Sequence, residues 1–495
     1  MLCMGEISPQ LADNEAWVDQ TFEKCDDILH RQVYLGQGRQ EGLLVYVEVA
    51  VSNLMLEDSV IGKLLNRLLS MDTKEIYGTL ENNSLGISDT KELFTLEEAM
   101  AAMFAGNAVL FVDGYDRAIK IGSKGYPGSG VQKTDSEKGL RGSKEAFSES
   151  VKMNTALIRK RIRNAKMKAE EKQVGRYSAT TTALLYLDGV VYLPICEEMR
   201  KRLDAFEVDG IEDGGMIEYL TRKKKEGRFP VYQTTERPDR AAQAILEGRV
   251  VLLTDNSPEA LIFPATLNSL FQTADDYYRN ERIVTFLRLI RYVAAFLALA
   301  LPGLYVAAAT FHPQLLPGNL IRSMAEARSG VPFPTAAEVL LMELSFELLR
   351  EAGLRMPGPA GNTIGIVGGL IVGQAAVSAN LVSPITVTVA ALTALGSFSI
   401  PNEELSEVFR LWKYGILLLG SCFGILGVML GCFLLLMLMA EQESYGIPWL
   451  YPYVGGNLNE RADEKDSMFL AAARKRKRRP IFAKWGNRIR FRRKS

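Results

Sequence analysis

The hydrophobic pattern of the chain changes character near residue 280. Before that point apolar positions come in short runs broken by charge; after it, long uncharged stretches alternate with concentrated charge. A bilayer core of about 30 Å takes about 20 apolar residues of helix. Tyr292–Phe311 supplies 20 residues without a charge, Gly361–Asn402 is uncharged over 42 positions, and Tyr414–Ala440 over 27. The 42-residue stretch has the length of two spans and a break near Asn380-Leu-Val-Ser-Pro384. The pattern therefore predicts an α-helical polytopic membrane domain over 281–445, with spans at about 292–311, 363–380, 384–401 and 414–440.

Outside that count lies Pro334–Arg355, PTAAEVLLMELSFELLREAGLR. Pro334 and Thr335 form a helix start and Gly353 a stop, which predicts a helix over about 335–352. Glu343, Glu347 and Glu351 recur every four residues and share one face, while Leu340, Leu341, Leu344, Leu348 and Leu349 fill much of the rest. So acidic a helix is costly across hydrocarbon unless that face meets water or protein. Two readings follow. In one, the helix is interfacial, with Glu347 and Glu351 partly paired by Arg350 and Arg355. In the other it is re-entrant or pore-lining, and its three glutamates, repeated around an oligomer, form a cation-attracting ring on an ion pathway. Gly361, Gly365, Gly369 and Gly373 make three successive GxxxG steps, a spacing that lets helices approach closely in lipid, and Gly420/Gly424 and Gly427/Gly431 repeat it.

Residues 1–280 read as mixed α/β with an internal repeat. Leu96–Asp113 (LEEAMAAMFAGNAVLFVD) is an amphipathic helix, then Gly106, then an apolar strand; Asp239–Asp255 (DRAAQAILEGRVVLLTD) does the same around Gly248. Asp113 and Asp255 read as turn formers. Two related subdomains, about 40–135 and 175–270, are expected, linked by a basic helix over 141–168. Its Arg141, Arg159, Arg161 and Arg163 either form a solvated face or contact another subunit or the membrane surface.

Charge sets the orientation. Lys+Arg and Asp+Glu both total 58, but the last 22 residues hold twelve Lys/Arg and no acid. A basic cluster close behind the last span belongs on the cytoplasmic face and suits anionic lipid rather than nucleic acid. Arg282, Arg288 and Arg291 ahead of the first span point the same way. The N-terminal residues have no basic segment followed by an apolar one, so no secretory signal is predicted and 1–280 is expected in the cytoplasm. Both termini inside requires an even number of crossings, which four spans satisfy. Only two histidines occur, His30 and His312, without a partner cluster, and neither a GxxxxGK[ST] loop nor a strand–GxGxxG–helix unit is present. No enzyme, cofactor or metal is predicted. The five cysteines show no metal or disulfide-framework spacing and read as reduced and structural.

Several ordered blocks resemble the GerA family, the A subunits of spore germinant receptors. RGSKEAFSESVKMNTALIRKRIR (141–163) is similar to an arginine-rich signature that usually begins RGPREGF, with Ser143-Lys144 replacing Pro-Arg. Thr235-Glu-Arg-Pro-Asp239, Asp255-Asn-Ser-Pro258 and Asp276-Tyr-Tyr278 follow, then MELSFELLREAGLRMPGPAGNTIGIVGGLIVGQAAVSANLVSP (342–384). Gly446-Ile-Pro-Trp-Leu-Tyr-Pro452 and Asp463–Asp466 stand where the family has its post-membrane motif. The resemblance implies a multi-pass protein of the spore inner membrane that works as a homo-oligomer. It also implies a transporter-like B subunit and a lipoprotein C subunit as partners, with nutrient sensing converted into ion release, as a ligand-gated ion channel. A secondary transporter built on broken helices and a membrane-anchored scaffold are the alternatives.

Overall fold

The computed structural model describes residues 5–37, 39–51, 68, 70–81, 89–126, 137, 139, 141–223, 226–355, 359–456 and 458–490; within the helices, side chains at 81, 354–355, 359–367 and 370 lie outside the description. The chain forms two units. The first takes residues up to 222, 232–264 and those from 476; the second takes 223–231 and 265–475.

The α/β unit is one pattern used twice. In the first repeat α1 (Leu11–Thr21) precedes β1 (Ile28–Leu35) and β2 (Gln40–Val47). Then come α2 (Thr73–Glu81), β3 (Thr90–Leu93), α3 (Leu96–Phe104), β4 (Ala108–Val112) and β5 (Ala118–Ile121). In the second, α4 (Val151–Arg159) precedes β6 (Met167–Val174) and β7 (Thr180–Leu187). Next are α5 (Leu193–Asp204), α6 (Gly214–Thr221), β8 (Gln233–Thr235), α7 (Pro238–Glu247), β9 (Val250–Thr254) and β10 (Ala260–Phe263). The two antiparallel sheets run in matching order, β1-β2-β4-β5-β3 and β6-β7-β9-β10-β8. Leu43, Val45, Val109 and Phe111 pack under α1 and α3, while Leu44, Tyr46, Leu110 and Val112 pack with Ile76 and Leu80 of α2. Burial on both faces is why LLVYV and AVLFV read as continuous apolar runs rather than as alternation.

The repeat starts earlier than about 40 and 175. Asn14 Nδ2 donates to Ser8 O at 2.7 Å, and Asp113 Oδ1 accepts from Leu11 N at 3.1 Å at the start of α1. Each of these residues before β2 has its counterpart 140 positions on: Asn154 Nδ2 donates to Ser148 O at 2.6 Å, and Asp255 Oδ1 accepts from Val151 N at 3.0 Å. Asp113 and Asp255 thus satisfy a helix N-terminus across the repeat as well as ending a strand. The helix expected over 141–168 is confined to Val151–Arg159: residues 161–166 turn, and Met167 and Ala169 enter β6 as buried strand positions. The four described cysteines are free, and burial pushes the Cys196 thiol up to about 12, which keeps it unreactive.

The helical unit holds α8 (Glu281–Thr310), α9 (Gly318–Arg328), α10 (Thr335–Arg355), α11 (Pro359–Ser378), α12 (Pro384–Phe398) and α13 (Glu403–Glu441). Among the described residues, α8 and, counted as one helix, α13 are long and apolar enough to cross a membrane. The α12 helix has 15 residues, about 22 Å of rise, short of the span expected at 384–401. The single span expected at 414–440 is interrupted. Gly424 takes φ 62°, ψ −143°, and a Cβ on Gly427 would collide with the carbonyl of Leu419. Residues eight apart on a straight helix lie about 12 Å apart, so the chain reverses at Gly424 and packs its two arms on each other. The Gly420/Gly424 and Gly427/Gly431 steps serve this hairpin. Close packing recurs at Gly303, where a Cβ would lie 3.2 Å from Ile416, and at Gly396, where it would lie 2.6 Å from Ala294 O. Of the expected glycine stripe, Gly369 faces Phe346 and Gly373 faces Val387, both within this chain; the surroundings of Gly361 and Gly365 fall outside the described residues.

Candidate functional site

The acidic face of α10 meets the basic start of α13. Lys413 Nζ donates to Glu343 Oε2 at 2.5 Å, and both side chains are buried. One turn on, Arg410 pairs with half-exposed Glu347. Arg350 reaches across to Glu403 at 3.5 Å rather than to Glu347, and Glu351 is exposed. The three glutamates therefore divide into a buried pair, a half-buried pair and a surface residue. The pairs line a cleft of about 1320 Å³ whose other walls include Phe346, Leu349, Val387, Leu395 and Phe398. Charges so placed in apolar surroundings interact strongly because little water screens them. The complementary spacing is the signal that would have revealed the partners: Glu343 and Glu347 are four apart, Arg410 and Lys413 three apart, each on one helix face. The most buried glutamate of α10 is outside the expected set. Glu338 Oε2 accepts from Ser383 N at 2.9 Å and Thr386 Oγ1 at 3.1 Å, and Oε1 from Arg328 at 3.2 Å, so it anchors the start of α12 and the end of α9.

A second buried network stands at the start of α8. Arg288 donates to Asp276 Oδ2 at 3.0 Å, to Asp466 Oδ1 at 3.0 Å and to Ser467 O at 2.6 Å. Arg291 also holds Asp276, at 2.9 Å to each oxygen. Tyr277 Oη donates to Asp466 at 3.2 Å. Two motifs 190 residues apart thus close on one another. Arg288 and Arg291, counted ahead of the first span as orientation charges, also hold buried carboxylates in a pairing that the local sequence does not show. Burial opposes ionisation of Asp276, but the hydrogen bonds and charge of Arg291 and Arg288 outweigh it and hold its carboxyl below the usual range. A depressed carboxyl stabilises the fold above its unfolded pKa of about 3.9 and loses that contribution as pH falls through the folded value. Thermal melting of the full chain should therefore fall steeply with acidification below about pH 4. Asp276→Asn should melt lower at neutral pH and lose that acid-dependent part; an unchanged slope would assign it to other groups.

Comparison with known proteins decides the family. The family model described as the Bacillus/Clostridium GerA spore germination protein matches residues 16–482. The chain belongs to this GerA family. It is 36% identical to the uncharacterized membrane protein YfkQ of Bacillus subtilis over 94% of this chain and 90% of that one. It is 33% identical to spore germination protein KA, covering 90% and 82%, and 32% identical to spore germination protein A1, covering 90% and 91%, both also of Bacillus subtilis. Among solved structures, the N-terminal domain of the A subunit of the Bacillus megaterium spore germinant receptor GerK3 is similar at 24% identity and a TM-score of 0.40, over 54% of this chain and 98% of that one. Together with the apolar helices, the relative named a membrane protein indicates that this GerA-family chain associates with a membrane.

The arginine-rich block of this GerA-family chain is mostly used internally. Arg159 is fully buried and grips Asp27 with two bonds of 2.6 and 2.8 Å, so it is not a contact residue for lipid or another subunit. Arg161 donates to Glu145 at 2.5 Å and Ser143 at 3.0 Å, and Lys160 joins it on Glu145 at 2.9 Å. Arg141 and Arg163 are exposed. The basic spacing gave no hint of this division, because the partners lie before β1 or in the preceding loop.

Proposed function

We propose that the chain is the A subunit of a spore germinant receptor and that the layer between α10 and α13 lies on the route by which nutrient sensing becomes ion release, as in a ligand-gated ion channel. One observation carries the reading: paired carboxylates and cations around an apolar-walled cleft in the unit that holds the membrane-length helices. Such pairs are costly to place there for stability alone and suit a gate whose charges are masked when closed and face a water path when open. The reading is non-enzymatic. It places the chain in the spore inner membrane as a homo-oligomer, beside a transporter-like B subunit and a lipoprotein C subunit, with Glu343 and Glu347 on the ion pathway. The α/β unit includes both α1 and residues 476–490, which supports keeping both termini on one face, the cytoplasmic one.

The test is Glu343→Gln with Glu347→Gln in spores. Ion release on nutrient addition should drop at least tenfold per amount of the chain retained in spore membranes, because Glu343→Gln also leaves Lys413 buried without its carboxylate and lowers accumulation. Unchanged release would remove the pathway assignment. Purified protein in planar bilayers supplies the independent readout: absence of conductance would leave the scaffold reading.

A further inference from the structure

The two repeats of the α/β unit differ in how each is completed. In the first, the chain continues past β5 and turns back along the end of β2: Val51 bridges Lys124, and Gly125 N donates to Ala50 O at 2.8 Å. The turn lies against Gly106, φ 88°, where a Cβ would sit 2.9–3.0 Å from Tyr126. In the second repeat, β10 ends at Phe263 and the chain leaves this unit after residue 264. The equivalent place is nevertheless filled. Val191 bridges Ala483, and Lys484 N donates to Val190 O at 2.7 Å. Val190 and Val191 stand 140 positions after Ala50 and Val51, the same offset as the paired serines and asparagines. Gly248, φ 94°, has Ala483 against it, with a Cβ position 2.7–3.0 Å from that residue.

We propose that the second subdomain carries a groove for an extended peptide and that residues 482–484 of the same chain are its ligand, standing in for the segment 123–125 of the first. The fit is specific in chemistry. Ala483 is buried in the core formed by α4, α7 and the sheet, and Gly248, which has no room for a side chain of its own, packs directly on it. Phe482 lies under the guanidinium of Arg249, 4.5 Å from the ring centre, and its carbonyl accepts from Tyr192 N at 3.3 Å. The flanks donate through two arginines and an amide: Arg479 Nε to Leu246 O at 2.9 Å, Asn487 Nδ2 to Gly189 O at 2.6 Å, and Arg490 to Glu247 at 3.5 Å. The groove thus takes an aromatic–small–basic strand addition, and the basic tail is a docked strap rather than a lipid-bound leash. Docking ties the chain that emerges from the helical unit at residue 475 back to the α/β unit.

The test uses the full chain in detergent, with native cysteines replaced by alanine. Val191→Cys with Ala483→Cys should oxidise to an intrachain disulfide in high yield, where Ala483→Cys alone forms none. Vesicles rich in phosphatidylglycerol should leave the yield unchanged. In the otherwise native chain, Ala483→Glu, a carboxylate at a buried position of the strap, should speed tryptic cleavage at 475–484 at least tenfold. A disulfide joining two chains would overturn docking in cis. Loss of the disulfide on adding vesicles would overturn it in favour of lipid, and equal cleavage rates without any disulfide would overturn it outright.

Discussion

Replacing Arg159 with leucine is expected to cost the α/β unit about 3–5 kcal/mol, the range for removing one partner of a buried ion pair. The side chain is fully buried. It gives two bonds to Asp27 and further bonds of 2.7 Å to Met167 O and 3.2 Å to Asn164 O. Leucine would leave the Asp27 carboxylate in the interior with neither water nor a cation. Against a domain stability of about 5–15 kcal/mol, that is a third or more of the total. Thermal melting of the full chain should show it, with faster proteolysis between α4 and β6. Arg159→Lys should fall between, since an ammonium keeps the charge but not the two-pronged fit. Arg159→Leu with Asp27→Leu should recover most of the loss, because the cost lies in the orphaned charge. Arg163→Leu, exposed a few residues on, should change stability by no more than about 0.5 kcal/mol. If Arg159→Leu and Arg163→Leu melt alike, the Arg159–Asp27 pair does not hold the two repeats together.

What could be read in the chain beforehand follows the range of the interaction involved. The repeat was visible where it is apolar, at Leu96–Asp113 and Asp239–Asp255, because helix and strand periodicities are local. Its opening was not: Ser8/Asn14 and Ser148/Asn154 are four small polar residues whose equivalence lies in hydrogen bonds, and the apolar positions that α1 and α4 share (Leu11/Val151, Trp17/Leu157, Val18/Ile158) stand among charges that differ, acidic in α1 and basic in α4. Charge density over 141–168 read as a helix, yet the strand MKAEEKQV alternates buried Met167 and Ala169 with more open neighbours, a period of two hidden by the lysines and glutamates. Gly420–Gly431 showed as helix-packing steps and the chain packs there on itself, since a positive φ at Gly424 leaves no mark in the spacing. The acidic face of α10 was legible to the residue, but its partners Arg410 and Lys413 stand more than 60 positions away. Pairing at that distance is a property of the fold, so the site was half visible.

That missing half makes Lys413 the sharper probe of function. Lys413→Met should leave Glu343 buried and unpaired, again at about 3–5 kcal/mol, and its first effect should be loss of protein from spore membranes. That loss would say nothing about ions. Glu343→Lys with Lys413→Glu keeps a pair of the same two groups in the same layer with the charges exchanged, and it should restore accumulation. If the layer merely fixes α10 to α13, ion release should return with the protein. If Glu343 faces the permeating ions when the pair opens, a lysine now stands in its place and repels cations, and release should stay at least tenfold down in spores that hold normal amounts of the chain. The two outcomes differ at least tenfold in release at equal abundance. Release recovering in step with accumulation would make the layer a structural clamp and move the search for the ion path to the exposed glutamate of α10, Glu351.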